Sequence, residues 1–578
     1  MASLPSDAAS TPTLLTGIQR SLDNARQEWV RTLIMLGAVI AISWLVLYPL
    51  GILFKMGFSD KAGNFTFENY ARVFSEPGVF DALINSLIIS SATTFFSLVV
   101  ALPMAWAVSR TKMPGRKFFR MAVLVAFVIP NFITAIAWIL LLGKNAGMIN
   151  VFLREVIGVN LGLNIYSMYG LILVLTFSFY PLIFFAATAA LDNMEPSYEE
   201  AAQMSGASAM RASMSIALPL VMPAILSSSI FVFLEAMGAF GAPAAIGNAA
   251  YFHTLTTKIY ELFSYPPRFE LAAAAATPII AFTVLGLIVQ RYAIGNRRYN
   301  VITGKASKSH AVEIGWRKWI LFAYCSIMLL LSVGLPLWIL VRTSLLVRWG
   351  LPISWENFTL AYYKSLFDTS TILPRATYNS FILSAGTATA AVALGIVIVW
   401  LVERTTLPGR GLLTLVSTIT FAFPGVALAV GFVLGYSSGM LALYGSMALF
   451  FVAFIAHRFP FAFLFLRNNV KQLSTELEEA ARMSGASWAR SIIDISVPML
   501  KSGMLAAWIM VFAVTLRELS MAVLLYVRGT ETLPIAIFSF VDNGTFGIAS
   551  AVSVVLIMLS ILSVVVLRML SGKAQMEL

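Results

Sequence analysis

Twelve runs of mainly apolar residues divide this chain. They fall at 33–54, 82–108, 118–142, 167–191, 219–243 and 271–291, then at 318–342, 376–402, 412–438, 441–467, 498–524 and 545–568. A helix of about 20 such residues crosses the ~30 Å hydrocarbon core of a bilayer. Inside that core each backbone N–H and C=O must find its partner within the protein, and a helix achieves this alone. The expected fold is therefore an all-α polytopic membrane protein of about 12 transmembrane helices. Composition agrees, with 59% hydrophobic and 11% charged residues, where a soluble domain carries about 25% charged.

The net charge of +12 would suggest nucleic acid in a soluble protein. Here Lys and Arg lie in short segments beside the apolar runs, as the positive-inside rule requires, and no basic-aromatic surface pattern accompanies them. Arg20, Arg26 and Arg31 precede the first run, and Arg110, Lys112, Arg116, Lys117 and Arg120 follow the second. The segment 292–317 and its flanks hold Arg291, Arg297, Arg298, Lys305, Lys308, Arg317 and Lys318 against the single acid Glu313. These segments are expected in the cytoplasm, and with them both termini. Loops 55–81 and 343–375, of mixed charge, fit the opposite side. No short apolar core with a cleavage site precedes residue 32, so the first run reads as a retained span. The single cysteine, Cys325, lies in an apolar run and reads as a small buried hydrophobe.

The chain repeats itself. From Glu200 to Pro219, 11 of 20 residues recur 279 positions later, between Glu479 and Pro498, a self-similarity that marks duplication. Beyond this segment Asn85-Ser86 answers Asn379-Ser380, Pro114-Gly115-Arg116 answers Pro408-Gly409-Arg410, Pro130 answers Pro424, and Tyr180-Pro181 answers Phe459-Pro460. The domains follow: a tail at 1–32, a first unit at 33–291, a linker at 292–317, a second unit at 318–568 and a tail at 569–578. Six spans per unit give both the same orientation, so they should be related by an axis along the membrane normal, with a pathway between them.

The repeated segment is polar. Ser197 with Glu200, and Thr475 with Glu478, have capping-box spacing and predict a helix start. Ala201, Ala202, Ala480 and Ala481 favour helix with a low profile. Gly206 and Gly485 suit its C-terminus. Ser208 and Ser487 are placed to cap a second short helix running into Pro219 or Pro498. Two such elbows on one side of the membrane suggest docking elements for a two-fold partner.

The pattern Glu200-Ala201-Ala202, Gly206, then Ile216-Ala217-Leu218-Pro219 resembles the EAA loop of ABC-importer inner-membrane permeases. The second copy reads Glu479-Ala480-Ala481, Gly485, Ile495-Ser496-Val497-Pro498, with Val497 in place of Leu. The resemblance covers nearly the whole chain as two fused six-span type I units in the bacterial inner membrane. It implies that Glu199, Glu200, Ala201, Ala202, Gly206 and Arg211, with Glu478, Glu479, Ala480, Ala481, Gly485 and Arg490, form coupling helices. Two copies of a cytoplasmic ABC ATPase subunit would grip them, and a periplasmic substrate-binding protein would deliver cargo. No G-x-x-x-x-G-K-[ST] segment occurs. ATP and Mg would therefore sit on the partner ATPase, with no cofactor and no catalytic residue in this chain.

The fused organisation resembles ferric-iron type permeases, as do Thr515-Leu516-Arg517-Glu518-Leu519-Ser520 and Leu255-Thr256-Thr257-Lys258-Ile259-Tyr260. Relatives of that group carry 2-aminoethylphosphonate, phosphorylated sugars, thiamine, sulfate or polyamines. His253, His310 and His457 are expected on an outer loop, the linker and a span end, so no metal cluster is implied. Glu235, in the fifth span, and Glu518, in the eleventh beside Arg517, are candidate pathway residues, because ionisable groups in spans face a cavity or a partner. Glu518 also reads as a structural partner of Arg517 or another basic group, and for Glu235 the structural reading leads. An ATP-independent secondary transporter would instead rest its coupling on these two acids and leave the duplicated elbows without a purpose. A membrane-embedded enzyme would need a catalytic cluster that the sequence does not supply.

Overall fold

The structure is a computed structural model. It describes residues 14–194, 201–202, 204–294, 312–350, 354–405, 409–420, 423–437, 442–486 and 488–570. Ser197, Glu199, Glu200, Ser487 and His310 lie outside the described residues, as do most of the linker and both extreme tails.

The first unit comprises α1 (Leu14–Gly57), α2 (Pro77–Arg110), α3 (Arg116–Val128), α4 (Asn131–Leu142), α5 (Met168–Asp192), α6 (Leu218–Gly238), the short α7 (Leu255–Leu262) and α8 (Phe269–Ile294). The second comprises α9 (Arg317–Ser344), α10 (Leu373–Arg404), α11 (Arg410–Ile419), α12 (Gly425–Tyr436), α13 (Met447–Gln472), α14 (Glu476–Met483), α15 (Lys501–Leu516), α16 (Leu533–Asp542) and α17 (Phe546–Leu570). Among the described residues nine helices are long and apolar enough to span, or up to eleven if each of two bent pairs counts as one.

Twelve spans were expected, and the difference lies in three segments. The run 118–142 is two helices, α3 and α4, meeting at 96°. Proline lacks an N–H and disfavours helix in the residue before it. The chain accordingly leaves the helix at Ile129, and Pro130, extended at φ −61° and ψ 143°, starts the next one. The run 412–438 divides into α11 and α12, each short of a span, with Pro424 in the same role at φ −57° and ψ 147°. The eleventh run is Ile493–Met499 and Lys501–Leu516, bent by 55°. It ends before Glu518, which thus lies beyond its helix. By contrast Pro181 and Pro460 sit inside α5 and α13.

In each unit the second helix packs against the long helix before the repeated segment and the span after it: α2 on α5 and α6, α10 on α13 and α15. The first helix of each unit reaches across. α1 contacts α12 and α9 contacts α4 and α2, while each also packs on the last helix of its own unit. At the α1–α12 crossing a Cβ on Gly431 would sit 2.5 Å from the Pro49 carbonyl oxygen, and Tyr48 donates to the Gly435 carbonyl at 2.9 Å. Only a glycine permits that approach.

The matched Asn-Ser pairs have a common task. Ser86 Oγ accepts from the Leu255 N–H at 2.7 Å, and Ser380 Oγ accepts from the Leu533 N–H at 2.7 Å. Each satisfies a first-turn donor of a short helix, α7 or α16, that would otherwise be orphaned. Asn85 Nδ2 donates to the His253 carbonyl at 3.1 Å. Asn379 Nδ2 donates to the carbonyls of Gly529 at 3.1 Å and Glu531 at 2.9 Å. Asn379→Ala removes both of these bonds and should destabilise the second unit by about 1–3 kcal/mol, read as a lower thermal unfolding midpoint in detergent. An unchanged midpoint would show that water replaces the amide.

Candidate functional site

Two places collect the residues singled out above: the pair of elbows, and a cavity between the units.

The elbows share one backbone geometry. Gly206 has φ +89° and Gly485 φ +90°. The Ala207 N–H bonds the Ala202 carbonyl and the Ala486 N–H bonds the Ala481 carbonyl, each at 3.0 Å. This six-to-one closure after a left-handed residue is a Schellman cap, and it explains why glycine stands at both positions. Ser208 Oγ accepts from the Arg211 N–H at 3.3 Å, the expected cap of the second short helix. Ala201, Gly206, Arg211, Glu479, Ala480, Gly485 and Arg490 are exposed, while Ala202, Ala481 and Glu478 are half-buried. Arg490 lies 3.7 Å from Asp494. Two apolar positions are open in both copies: Met204 at 90% and Met483 at 89%, Met214 at 60% and Ile493 at 64% exposure.

The carboxylate of Glu478 reaches away from the start of its helix. It accepts from Ser496 Oγ at 2.8 Å and lies 3.6 Å from Arg404 Nε. Arg404, at the end of α10, also donates to the carbonyls of Val470 at 3.0 Å and Leu473 at 2.8 Å. One guanidinium thus ties α10, the end of α13 and the elbow together. The capping box predicted at Thr475 is replaced by this tertiary tie, because a buried cation offers the carboxylate more than a helix N–H does.

The cavity, of about 200 Å³, lies where α3–α4, α5 and α6 of the first unit face α13 and α15 of the second. Glu235, Arg458, Arg517 and Glu518 all line it, beside Phe127, Phe132, Phe179, Phe231 and Phe461. Glu518 pairs with Arg458, not with its neighbour Arg517, and accepts from the Met521 N–H at 3.0 Å. Both members of the pair are largely buried. Arg517 crosses to the other unit. It donates to the carbonyls of Phe127 at 2.8 Å and Val128 at 3.0 Å, its guanidinium 5.2 Å from the Phe127 ring centre. Those two carbonyls end α3 at the break, where helical donors are missing. Glu235, near the end of α6, has no ion pair or hydrogen bond among the described residues. Its side chain is exposed and lines the cavity.

At the 279 offset Arg517 corresponds to Gly238. A Cβ on Gly238 would stand 2.9 Å from Pro424 Cβ. The two breaks are therefore met differently, one by a long cationic side chain and the other by direct backbone approach. Arg458 was missed among the sequence candidates, although an arginine within an apolar run carries the same signal as an intramembrane acid. His457 is corrected from a span end to the middle of α13. Among the described residues no three His, Cys, Asp or Glu side chains gather as a metal site.

Fold and sites together define a duplicated helical membrane protein with two matched, exposed elbows. Residues 95–298 and 391–575 match the family described as the binding-protein-dependent transport system inner membrane component, and the chain belongs to that family, twice over. It is similar to a ferric transport system permease protein of Actinobacillus pleuropneumoniae, 24% identical over 540 residues, covering 90% of this chain and 76% of the relative. An Fe(3+)-transport system permease protein of Haemophilus influenzae is 24% identical over 503 residues, covering 85% of this chain and 90% of the relative. A Salmonella typhimurium protein named as a 2-aminoethylphosphonate transport system permease is 25% identical over 244 residues, 41% of this chain and 88% of its own length. The chain is thus a fused two-unit permease of the binding-protein-dependent ABC transport family, a multi-pass inner-membrane protein.

Arg517→Ala leaves the Phe127 and Val128 carbonyls without their donor. It should cost about 1–3 kcal/mol, whereas Arg490→Ala on the exposed elbow should stay within about 0.5 kcal/mol. Thermal unfolding of the two purified variants checks the difference.

Proposed function

We propose that this chain is the membrane subunit of an ATP-driven, binding-protein-dependent importer that passes ferric iron through the cavity by alternating access. The observation that carries the reading is the matched pair of exposed elbows on a duplicated bundle whose interface holds a charged cavity. A two-fold bundle presenting the same surface twice suits two copies of one ATPase subunit. The elbow residues named above are the contact surface, with Met204, Met214, Met483 and Ile493 as its apolar part. Glu199 and Glu200 belong to it by sequence. ATP and Mg are bound by that ATPase, and hydrolysis takes place there. Both termini are cytoplasmic, on the side of the basic segments, and a periplasmic binding protein delivers cargo opposite.

The mechanical path follows from the ties. Closure of the ATPase pair pulls on the elbow. Arg404 joins that elbow to α13 through Glu478 and the carbonyls of Val470 and Leu473. α13 also carries Arg458 and Phe461 into the cavity. Helices move as rigid units, so displacement at one end of α13 is felt at the other. Glu518 and Glu235 line the proposed pathway.

Ferric iron is supported by the two relatives aligned over most of their length. The same machinery carrying 2-aminoethylphosphonate is the second reading, favoured by the Salmonella relative. Uptake into vesicles holding the chain, its ATPase and its binding protein, compared for ferric iron and 2-aminoethylphosphonate, decides between them. Glu479→Lys or Gly485→Pro should abolish ATPase assembly or uncouple hydrolysis from uptake while the chain still inserts. Uptake at the original rate with both elbows altered would sink the coupling reading.

A further inference from the structure

Three of the four charged groups in the cavity are committed. Arg458 and Glu518 are paired within the second unit. Arg517 is held by two carbonyls and a ring of the first. Glu235 is left over, a carboxylate on the first unit with no partner among the described residues. An uncommitted ionisable group within a span is costly, and such groups are found paired or in use. Across the cavity one donor is also left over: Arg458 Nε is buried without an acceptor. Both arginines line the same cavity as Glu235. Arg517 is anchored by its carbonyls, so Arg458 is the cation free to change partners. It also stands on α13, the helix tied to the elbow through Arg404.

We propose that Arg458 is a positioning residue that exchanges carboxylates during transport. In this structure it pairs with Glu518 of its own unit. When the units close it turns to Glu235 of the other, forming an ion pair across the interface that seals the cavity on one side. Exchange between two acids keeps the guanidinium compensated in both states, so neither state holds an isolated buried cation. This inference rests on the alternating-access reading above.

The test uses the full chain assembled with its ATPase pair, with Cys325→Ser in the background. Phe231→Cys and Phe461→Cys, about one turn from Glu235 and Arg458 and lining the same cavity, are introduced together and treated with a short bifunctional thiol reagent, with and without nucleotide trapped on the ATPase. Crosslinking should rise several-fold between the two states; equal yields overturn the exchange. A second measurement needs no cysteines. Glu235→Gln should lower uptake about tenfold, within the range of coupling energies between sites, and Glu235→Asp should restore most of it. If Glu235→Gln instead raises only the cargo concentration needed for half-maximal uptake, Glu235 touches cargo and the exchange is overturned. Failure of the unaltered complex to transport at all would refute the importer reading. The crosslinking result would stand apart from that outcome, because it requires ATPase binding only.

Discussion

Two backbone carbonyls set the terms for the centre of this protein. At the end of α3 the chain breaks before Pro130, and the carbonyls of Phe127 and Val128 lose the donors that a continuing helix would supply. Water cannot be counted on at membrane depth, so the protein must supply a donor. It does so with Arg517 from the opposite unit. That one choice brings a fixed cation to the interface and joins the units through backbone. It also obliges the surroundings to provide negative charge. Glu235 and Glu518 meet that need, with Arg458 completing a group of two cations and two anions.

The duplicated architecture makes the asymmetry informative. Both units carry the same Asn-Ser anchor for a short helix, the same proline break and the same glycine-capped elbow. Where the units face the cavity the equivalence stops. Arg517 corresponds to Gly238, and Glu518 to Ala239 rather than to Glu235. Fusing two units into one chain allows this, since each copy can then change independently. A homodimer of one unit would present every charge twice across its axis, and like charges at close range in a low dielectric repel strongly.

The helix α13 borders the cavity and, through Arg404, meets the elbow. Its far end is held by Arg404 to α10 and to Glu478 of the elbow, while its middle carries the Arg458–Glu518 pair. Glycines at the elbow tips do different work from those inside the bundle. Gly206 and Gly485 serve a left-handed backbone with open space around them, whereas Gly431 and Gly238 serve close contact between helices. The first pair shapes a surface and the second sets interhelical distance.

Much was legible without coordinates. Apolar runs of spanning length, the fixed repeat offset and the elbow with its capping glycine are local or periodic properties, set by backbone chemistry within a few residues. Intramembrane acids stood out because ionised groups are rare at that depth. What the linear pattern left open was pairing. It left the partner of Glu518 as Arg517 or another basic group; the helix ends at Leu516, and beyond it Glu518 meets Arg458 while Arg517 meets the carbonyls of Phe127 and Val128. Arg458, 60 residues away, becomes the partner of Glu518 only once α13 and α15 pack. Prolines announced that something happens at 130 and 424, yet whether a helix kinks, ends or merely absorbs the residue depends on its neighbours. Pro181 and Pro460 stay within helices while Pro130 and Pro424 begin new ones. The sequence by itself determined the span-rich class, the duplication and the two glycine-capped elbows. Only the tertiary structure decided which charges meet, because charge pairing in a low-dielectric interior depends on distances across the fold and not on separation along the chain.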